Sequence, residues 1–251
     1  VDTDLLNRPA RSVPNGAESV QLFGELRRGV DHGELTLVYQ PKFDLRTVRI
    51  VGVEALLRWQ HPERGLLAPE QFLPLVRGHQ LMDAVTEFVI NRALDDAGQW
   101  CAAGLALPVA VNLSATSVAI PDLPGRISGE LSRRRLDPSM LAVEITEDLF
   151  LADAERARQV LSQLRDNGIR VAIDGFGSGY SALWYLRDLP VDEVKLDRGF
   201  IAPIVTDPRA AAVVRAVIDL AHVLLLTTVA EGVEDGQTAD LQRSIGCDVV
   251  Q

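Results

Sequence analysis

The sequence is poor in the residues that bind soft metal ions. Cys101 and Cys247 are its only cysteines, and its four histidines are scattered without an HxxxH pair. Zinc sites of the usual type need three or four such side chains at characteristic spacings. We therefore expect no zinc site of that kind.

Long apolar segments are also missing. No uncharged run reaches the roughly 18 residues that mark a membrane-spanning helix, and the N-terminus lacks the apolar core of a secretory signal. The formal net charge of −10 disfavours binding along a nucleic-acid polymer, because such binding needs basic surface to displace counterions. A small phosphorylated ligand held by a few local cations stays compatible with this composition.

Lysine is the third scarce residue. Only two of the 25 basic residues are lysines, Lys42 and Lys195, and the others are arginines. Lysine is a compact point charge with a tunable pKa, whereas arginine is a planar group with a fixed charge. The position of Lys195 inside an apolar segment (VDEVKLD, 191–197) therefore suggests a specific role, with drift as the alternative.

The rest of the pattern predicts an α/β fold. Residues 1–18 lack periodicity and indicate a linker or N-terminal arm, as expected of an excerpt from a longer protein, whereas 19–251 form the folded domain. An amphipathic helix begins near Ser19, and a short strand at 35–40 ends at Pro41. Apolar strands then alternate with helices, which predicts a parallel sheet. About eight strands over this length favour a closed (β/α)₈ TIM-like barrel over an open sheet.

The predicted elements have definite positions. A last strand begins near Cys247. The other predicted strands lie at 51–59, 107–113, 140–146, 169–174, 191–196 and 225–230, and the helices at 69–77, 82–102, 123–135, 153–167, 181–188, 208–222 and 235–245.

Single polar side chains interrupt or follow the apolar strands. A buried carboxylate is costly unless it is paired or bound to a metal, and the C-terminal ends of barrel strands form the rim that carries active sites. Oxygen ligands of this type suit hard cations such as Mg²⁺ or Mn²⁺. Taken singly, Glu54 is equally consistent with a structural acid, and Asn112 with a turn residue. The residues at these positions are Glu54, Asn112, Glu144, Asp174, Lys195 and Glu231.

The glycine-rich segment GFGSG (175–179) follows a strand and precedes a helix, so a dinucleotide site has to be considered. Its spacing is GxGxG rather than the GxGxxG of that fingerprint, and no acid follows a second strand at the required distance. A flexible active-site loop fits this segment better.

A series of collinear motifs over about residues 20–251 resembles the EAL domain family, the bacterial phosphodiesterases that act on cyclic di-GMP. No single motif is decisive, but their common order is a specific signal. The motifs are YQP (39–41), GVEALLRW (52–59), VNLS (111–114), EITE (144–147), GFGSGYSAL (175–183), LP (189–190), VKLDRGFI (194–201), AEGVE (230–234) and GCDVVQ (246–251).

The resemblance implies a barrel with an irregular first strand and a role for each matching residue. The implied metal ligands, for Mg²⁺ or Mn²⁺, are Glu54, Asn112, Glu144 and Asp174. Glu231 and Lys195 match the acid and the lysine at the attacking water, and are the implied catalytic residues. The implied substrate-binding residues are Gln40, Arg58 and Gln251, and the implied supporting residues are Glu147 and Asp197. Asp197 is equally consistent with a helix cap.

The resemblance also implies a reaction and partners. The reaction is the metal-dependent hydrolysis of cyclic di-GMP to linear pGpG, for which two divalent ions activate water and clamp the reacting oxygens. Homodimerisation, attached sensory or GGDEF domains and a cytoplasmic location are further expectations. The family normally continues beyond Gln251 through the last strand and a closing helix, an element that is either missing from the protein or lies outside this sequence.

One departure from the family pattern concerns the metals. The family usually has DDFG at the end of the fifth strand, whereas this sequence has DGFG, so that Gly175 replaces a metal-binding aspartate. The loss of one charge-stabilising group typically reduces the rate by about 10²–10³-fold. A receptor that binds cyclic di-GMP without hydrolysing it is therefore the alternative to the enzyme, and a scaffold that binds neither metal nor nucleotide ranks last.

Overall fold

The structure is a computed structural model that describes residues 16–78, 81–120, 122–146, 154–177 and 183–251. The described residues form two compact units. The smaller unit contains the residues up to Val38 together with Leu56–Val89, and the larger contains Tyr39–Ala55 and Ile90–Gln251. The six polar residues that the sequence places within or after apolar strands all belong to the larger unit: Glu54, Asn112, Glu144, Asp174, Lys195 and Glu231.

The smaller unit is organised around Trp59. It contains α1 (Gly16–Asp31), α2 (Leu73–Gly78) and β3 (Gly65–Leu67), which pairs antiparallel with the end of β2 (Arg49–His61). The Trp59 side chain is fully buried, and its Nε1 donates a hydrogen bond to Glu34 at 2.9 Å. The ring of Phe72 packs edge-on against it at a centroid distance of 5.8 Å. A buried polar indole with its donor satisfied gives this unit its own core.

The larger unit is a closed eight-stranded barrel. Its strands follow the order β1-β9-β8-β7-β6-β5-β4-β2, and a pairing of β1 with β2 closes it. The strands from β2 to β9 in this order run parallel, whereas β1 is antiparallel to β9. This confirms the TIM-like barrel with an irregular first strand. The strands are β1 (Leu35–Asp44), β2, β4 (Val109–Leu113), β5 (Leu141–Thr146), β6 (Arg170–Phe176), β7 (Glu193–Leu196), β8 (Thr227–Ala230) and β9 (Val249–Val250).

Helices connect the parallel strands, as the alternating pattern predicts. Aspartates begin three of them, because the side chains of Asp197, Asp207 and Asp235 each accept a hydrogen bond from a backbone N–H in the first turn. The helices are α3 (Met82–Ala102), α4 (Ala115–Val118), α5 (Leu123–Arg134), α6 (Ala154–Asp166), α7 (Leu183–Asp188), α8 (Arg198–Ile201), α9 (Pro208–Val223) and α10 (Gly236–Ser244). Among the described residues, none of the helices combines the length and the apolar content needed to cross a membrane.

The barrel strands are buried almost throughout, which is why they read as continuous apolar runs. Val109, Val111, Leu141, Val143 and Val171 are all completely inaccessible to solvent. Strands of a parallel barrel are covered by helices on one face and by the barrel interior on the other, so alternation with polar residues is lost. A carboxylate or ammonium in such a strand is therefore placed in the barrel interior.

Two predicted boundaries near the N-terminus are wrong. Helix α1 begins at Gly16 rather than near Ser19, so the arm predicted at 1–18 overlaps the first helical turn; the remainder of that arm lies outside the described residues. Strand β1 does not end at Pro41 but continues to Asp44. The residues of β1 that pair with β9 are Phe43 and Asp44, so the N–H that proline lacks is not needed for that ladder.

Candidate functional site

The strand registers bring the polar residues of the barrel to one end. Asn112 on β4 lies beside Glu144 on β5, and Asp174 on β6 is paired with Thr146 two residues further along β5. Glu231 directly follows β8, and Gln251 directly follows β9. Because neighbouring parallel strands end at the same edge, these side chains meet at the C-terminal end of the barrel.

The ammonium of Lys195 lies at the centre of this group. Its Nζ is 2.6 Å from Glu144 Oε2, 2.8 Å from Glu231 Oε1, 2.9 Å from Glu54 Oε2 and 3.1 Å from Asp174 Oδ1. The side chain is 1% exposed. Burial alone would lower the pKa of Lys195, but the four carboxylates raise it well above the ordinary lysine value, so the amine is protonated.

Two amides hold the carboxylate of Glu54. Asn112 Nδ2 donates to Glu54 Oε1 at 2.7 Å, and Gln251 Nε2 donates to Glu54 Oε2 at 2.6 Å. Burial raises the pKa of Glu54, but the Lys195 charge and these hydrogen bonds outweigh it and lower the pKa to about 2. Glu54 is therefore a permanently ionised carboxylate whose position is fixed by three donors.

Glu144 is held from two sides. Its side chain is fully buried, with Oε2 bound to Lys195 and Oε1 bound to Lys42 at 2.8 Å. Burial raises the pKa of Glu144 to about 7, and the Glu54 charge adds to that effect against the attraction of the two lysines. The pKa of Glu231 is likewise raised to about 7, first by burial and then by Asp174, while Lys195 opposes the rise.

The charges of this group do not balance. When ionised, Glu54, Glu144, Asp174 and Glu231 carry four negative charges around one central ammonium. Lys42 adds a second positive charge but shares it with Glu193. Uncompensated buried charge is costly, and the raised pKa values of Glu144 and Glu231 are the response of the protein to it.

A divalent cation fits this group of donors. It would neutralise the excess negative charge, and the carboxylates, the Asn112 amide and the buried Oε1 of Gln251, which accepts no hydrogen bond from the described residues, are all oxygen donors of the type that Mg²⁺ and Mn²⁺ prefer. In the described part of the chain, no three or more His, Cys, Asp or Glu side chains are preformed around a common point for a metal. The carboxylates instead face Lys195.

Three predicted site residues make none of these contacts with Lys195 or Glu54, and a fourth lies outside the part of the chain that the structure describes. Gln40 lies on β1 and is partly exposed. Arg58 belongs to the smaller unit, where its Nη1 donates to the Leu57 carbonyl at 2.8 Å. Glu147 lies outside the described residues. Asp197 accepts from the Gly199 N–H at 2.7 Å at the start of α8, which is the helix-cap alternative.

The sequence did not point to Lys42 and Glu193 as part of this site. Lys42 Nζ bridges Glu144 Oε1 at 2.8 Å and Glu193 Oε1 at 2.7 Å. The scarcity of lysine was a signal for Lys42, but the predicted first strand ended at Pro41, one residue before it. The extension of β1 past Pro41 is what carries Lys42 into the barrel interior.

Gly175 occupies a backbone conformation that favours glycine. Its φ is +71°, and the register of β6 against β7 shifts between Ile173 and Phe176. An L-residue in this left-handed region is strained, although aspartate tolerates it better than most. The position where the family usually has a second aspartate thus lies at an irregularity in β6, directly after Asp174.

Comparison with known proteins identifies the family. The EAL domain model matches residues 24–251. The chain belongs to the EAL domain family. It is 40% identical over 238 residues to the bifunctional diguanylate cyclase/cyclic di-GMP phosphodiesterase MucR of Pseudomonas aeruginosa, a match covering 94% of this chain and 35% of that protein. It is also 40% identical over 211 residues to the cyclic di-GMP phosphodiesterase PA2567 of the same organism, covering 84% of this chain and 36% of that protein.

Solved structures of EAL domains have the same fold. The PaMucR phosphodiesterase in complex with c-di-GMP superposes with a TM-score of 0.86 at 40% identity, covering 92% of this chain and 94% of that one. The EAL domain of Mycobacterium smegmatis DcpA gives a TM-score of 0.72 at 32% identity, with coverages of 87% and 88%. The chain spans about a third of the length of the curated relatives it matches, with 35% of MucR covered.

Proposed function

We propose that this EAL domain hydrolyses cyclic di-GMP to linear pGpG with the help of Mg²⁺ or Mn²⁺. The observation that carries the proposal is the convergence of four strand-end carboxylates on Lys195 at the C-terminal end of the barrel. A phosphodiester is hydrolysed when a water is deprotonated in line with the leaving oxygen and the phosphoryl charge is compensated. This group offers both a base and a fixed positive charge.

The cation would be held by Glu54, Asn112, Glu144 and Asp174. When bound, it would supply charge compensation and a more acidic water. Within the chain, the amides of Asn112 and Gln251 fix Glu54, so that this ligand needs little reorganisation. The excess of negative charge around Lys195 also supports a divalent cation at this position.

Glu231 and Lys195 would carry the proton and the charge. Glu231 is partly exposed, with a pKa raised by burial to about 7, which suits a base that accepts a proton from water near neutral pH. The water oxygen bonds to phosphorus and gives a proton to Glu231, one P–O ester bond breaks, and the leaving oxygen takes up a proton from solvent water. Lys195, 2.8 Å from Glu231, stays protonated and stabilises the negative charge that develops on the phosphoryl oxygens.

The proposed function also includes a substrate-binding surface and partners. Gln40, Arg58 and Gln251 would bind the nucleotide, with Arg58 suited to fork onto a phosphate, while Glu147 and Asp197 would support nearby loops. We also propose a cytoplasmic location, homodimerisation and attached sensory or GGDEF domains. MucR is named as a bifunctional diguanylate cyclase/cyclic di-GMP phosphodiesterase, and the match covers only 35% of its length, which supports an attached domain.

A receptor for cyclic di-GMP is the second candidate. Gly175 favours it, because this position lacks the carboxylate that the family usually places there. The presence of the other acids and of Lys195 favours the enzyme, since binding alone does not require a base beside a buried ammonium.

Hydrolysis of cyclic di-GMP, followed chromatographically with Mg²⁺ and then Mn²⁺, tests the proposal. Glu54→Gln is the matched blank, because it keeps the shape of the side chain and removes its charge. Production of pGpG above this blank supports the enzyme. Binding of the nucleotide without turnover identifies a receptor, and absence of both would contradict the two candidates together.

A further inference from the structure

We propose that Lys42 is a positioning residue that orients Glu144 for cation binding, and that Glu193 holds Lys42 in place. The contacts of Lys42 with these two carboxylates are here called the Lys42 bridge. The inference rests on the proposed metal-dependent function and extends it to residues that lie beyond the group around Lys195.

The Lys42 bridge and Lys195 together hold both oxygens of Glu144. Lys42 Nζ is 2.8 Å from Glu144 Oε1 and 2.7 Å from Glu193 Oε1, while Lys195 Nζ is 2.6 Å from Glu144 Oε2. The side chains of Lys42 and Glu144 are 7% and 0% exposed, so water does not compete for these contacts. Glu144 therefore has one oxygen bound to Lys42 and the other bound to Lys195, which also contacts Glu54 and Asp174.

The Lys42 bridge reaches Glu144 from the N-terminal end of the barrel strands, opposite to the end where the carboxylates around Lys195 meet. Lys42 and Glu193 line a cavity of about 400 Å³ together with Arg170 and Thr227, which are the first residues of β6 and β8. Glu193 is itself the first residue of β7, and Lys195 lies two residues further along the same strand. Side chains two apart on a strand share a face, so β7 presents both the anchor of Lys42 and the central ammonium to the barrel interior.

A purely structural role explains this arrangement poorly. Replacing a buried ion pair by well-packed apolar residues is often neutral or stabilising, so a bridge in an otherwise apolar barrel is weak evidence for stability. Ligands of metals, in contrast, are commonly oriented by a further layer of charged or hydrogen-bonding groups. Removal of Lys42 leaves Glu144 Oε1 as an unpaired acceptor in the core, and the carboxylate then turns or takes up a proton.

Mn²⁺ affinity, measured by isothermal titration calorimetry without nucleotide, tests the inference. Lys42→Met removes the charge at nearly constant volume and is expected to weaken Mn²⁺ binding by about 10–100-fold. In a Glu144→Gln background, Lys42→Met is expected to cause no further loss, because its target is already neutral. The matched control is Thr228→Val, which removes a fully buried hydroxyl that donates to Asp248 at 2.8 Å elsewhere in the barrel. This control should lower the melting temperature and leave the Mn²⁺ affinity unchanged.

Several outcomes would overturn the inference. A Lys42→Met protein that melts earlier but binds Mn²⁺ like the wild type would make Lys42 a structural residue only. If that variant does not fold, Glu193→Gln decides, since it keeps a hydrogen-bond acceptor and weakens the anchor: weaker Mn²⁺ binding supports the inference, and unchanged binding contradicts it. Failure of the wild-type protein to bind Mn²⁺ would contradict the proposed function itself and this inference with it.

Discussion

Lys42 and Lys195 bind opposite oxygens of the same buried carboxylate. Lys42 contacts Glu144 Oε1 at 2.8 Å and Lys195 contacts Glu144 Oε2 at 2.6 Å. These are the two lysines of a chain that otherwise uses arginine. A compact ammonium fits between carboxylates in a barrel interior where a guanidinium fork would need more room, which explains why lysine occurs at these positions.

Mn²⁺ should stabilise the protein against unfolding. A ligand that binds only the folded state adds about 2.7 kcal/mol at a hundredfold excess over its Kd. We expect the melting temperature to rise with Mn²⁺, to fall back on addition of EDTA, and to respond little in Glu54→Gln. Glu130→Gln removes a partly exposed carboxylate paired with Arg133 and Arg134 and serves as the control. An equal response of wild type and Glu54→Gln would contradict a metal role for Glu54.

Removal of the central ammonium should destabilise the metal-free protein. Lys195→Met leaves four carboxylates without their common partner, and breaking a buried ion pair typically costs about 3–5 kcal/mol. Urea unfolding in EDTA measures the loss. Arg187→Met, which breaks a surface pair with Asp188, is the control and should change the free energy of unfolding by at most about 1 kcal/mol. Similar values for both variants would mean that the carboxylates do not depend on Lys195.

Glu231 should make the metal-free protein less stable as the pH rises. Its pKa is about 7 in the folded protein against an ordinary value of 4.5, so the folded state binds the proton more tightly than the unfolded chain. The stabilisation from this group is complete below pH 4.5 and is lost as the pH rises through 7. Glu231→Gln stays neutral and lacks this loss. The free energy of unfolding of the variant minus that of the wild type should therefore increase between about pH 5 and about pH 8.

Denaturant melts of the two proteins in EDTA give this difference directly. Glu234→Gln is a suitable control, because Glu234 is an exposed carboxylate paired with Arg198 at 3.0 Å. A difference between wild type and Glu231→Gln that does not change with pH would show that Glu231 ionises like a solvent-exposed acid.

Gly175→Asp should raise turnover. It restores a carboxylate beside Asp174 at the position where the family usually has one, and a charge-stabilising group can contribute about 10²-fold or more to the rate. The φ of +71° at Gly175 imposes a cost of about 1–2 kcal/mol on an L-residue. Gly175→Ala carries the same strain without the carboxylate, so the ratio of the two turnover numbers isolates the charge. Equal turnover would mean that the missing aspartate does not limit the reaction.

The sequence predicted most of the barrel because its signal is local. Helix α3 (Met82–Ala102) begins and ends where its apolar periodicity predicts, and β5 (Leu141–Thr146) begins one residue after the predicted start. The polar residues at the strand ends were also readable, since a carboxylate between buried valines stands out. Because neighbouring parallel strands pair in register, as Asn112 does with Glu144, these polar residues come together at one end of the barrel.

The parts that could not be predicted depend on distant pairings. Strand β1 extends past Pro41 because it pairs with β9 at the other end of the chain, and no local pattern contains that partner. Lys42 meets Glu193 across a sequence separation of 151 residues. Asp197 caps α8 by accepting a hydrogen bond from the Gly199 N–H, a contact that the sequence allowed beside a role at the rim.

The burial of both lysines has a practical consequence for chemical labelling. Their side chains are 7% and 1% exposed and fully engaged with carboxylates, whereas most amine-reactive reagents attack an accessible, deprotonated lysine. Acylation of Lys42 or Lys195 therefore requires the barrel to open. Mass spectrometry can follow how fast a soluble acylating reagent modifies these two positions. That rate measures how often the barrel interior opens in the native protein.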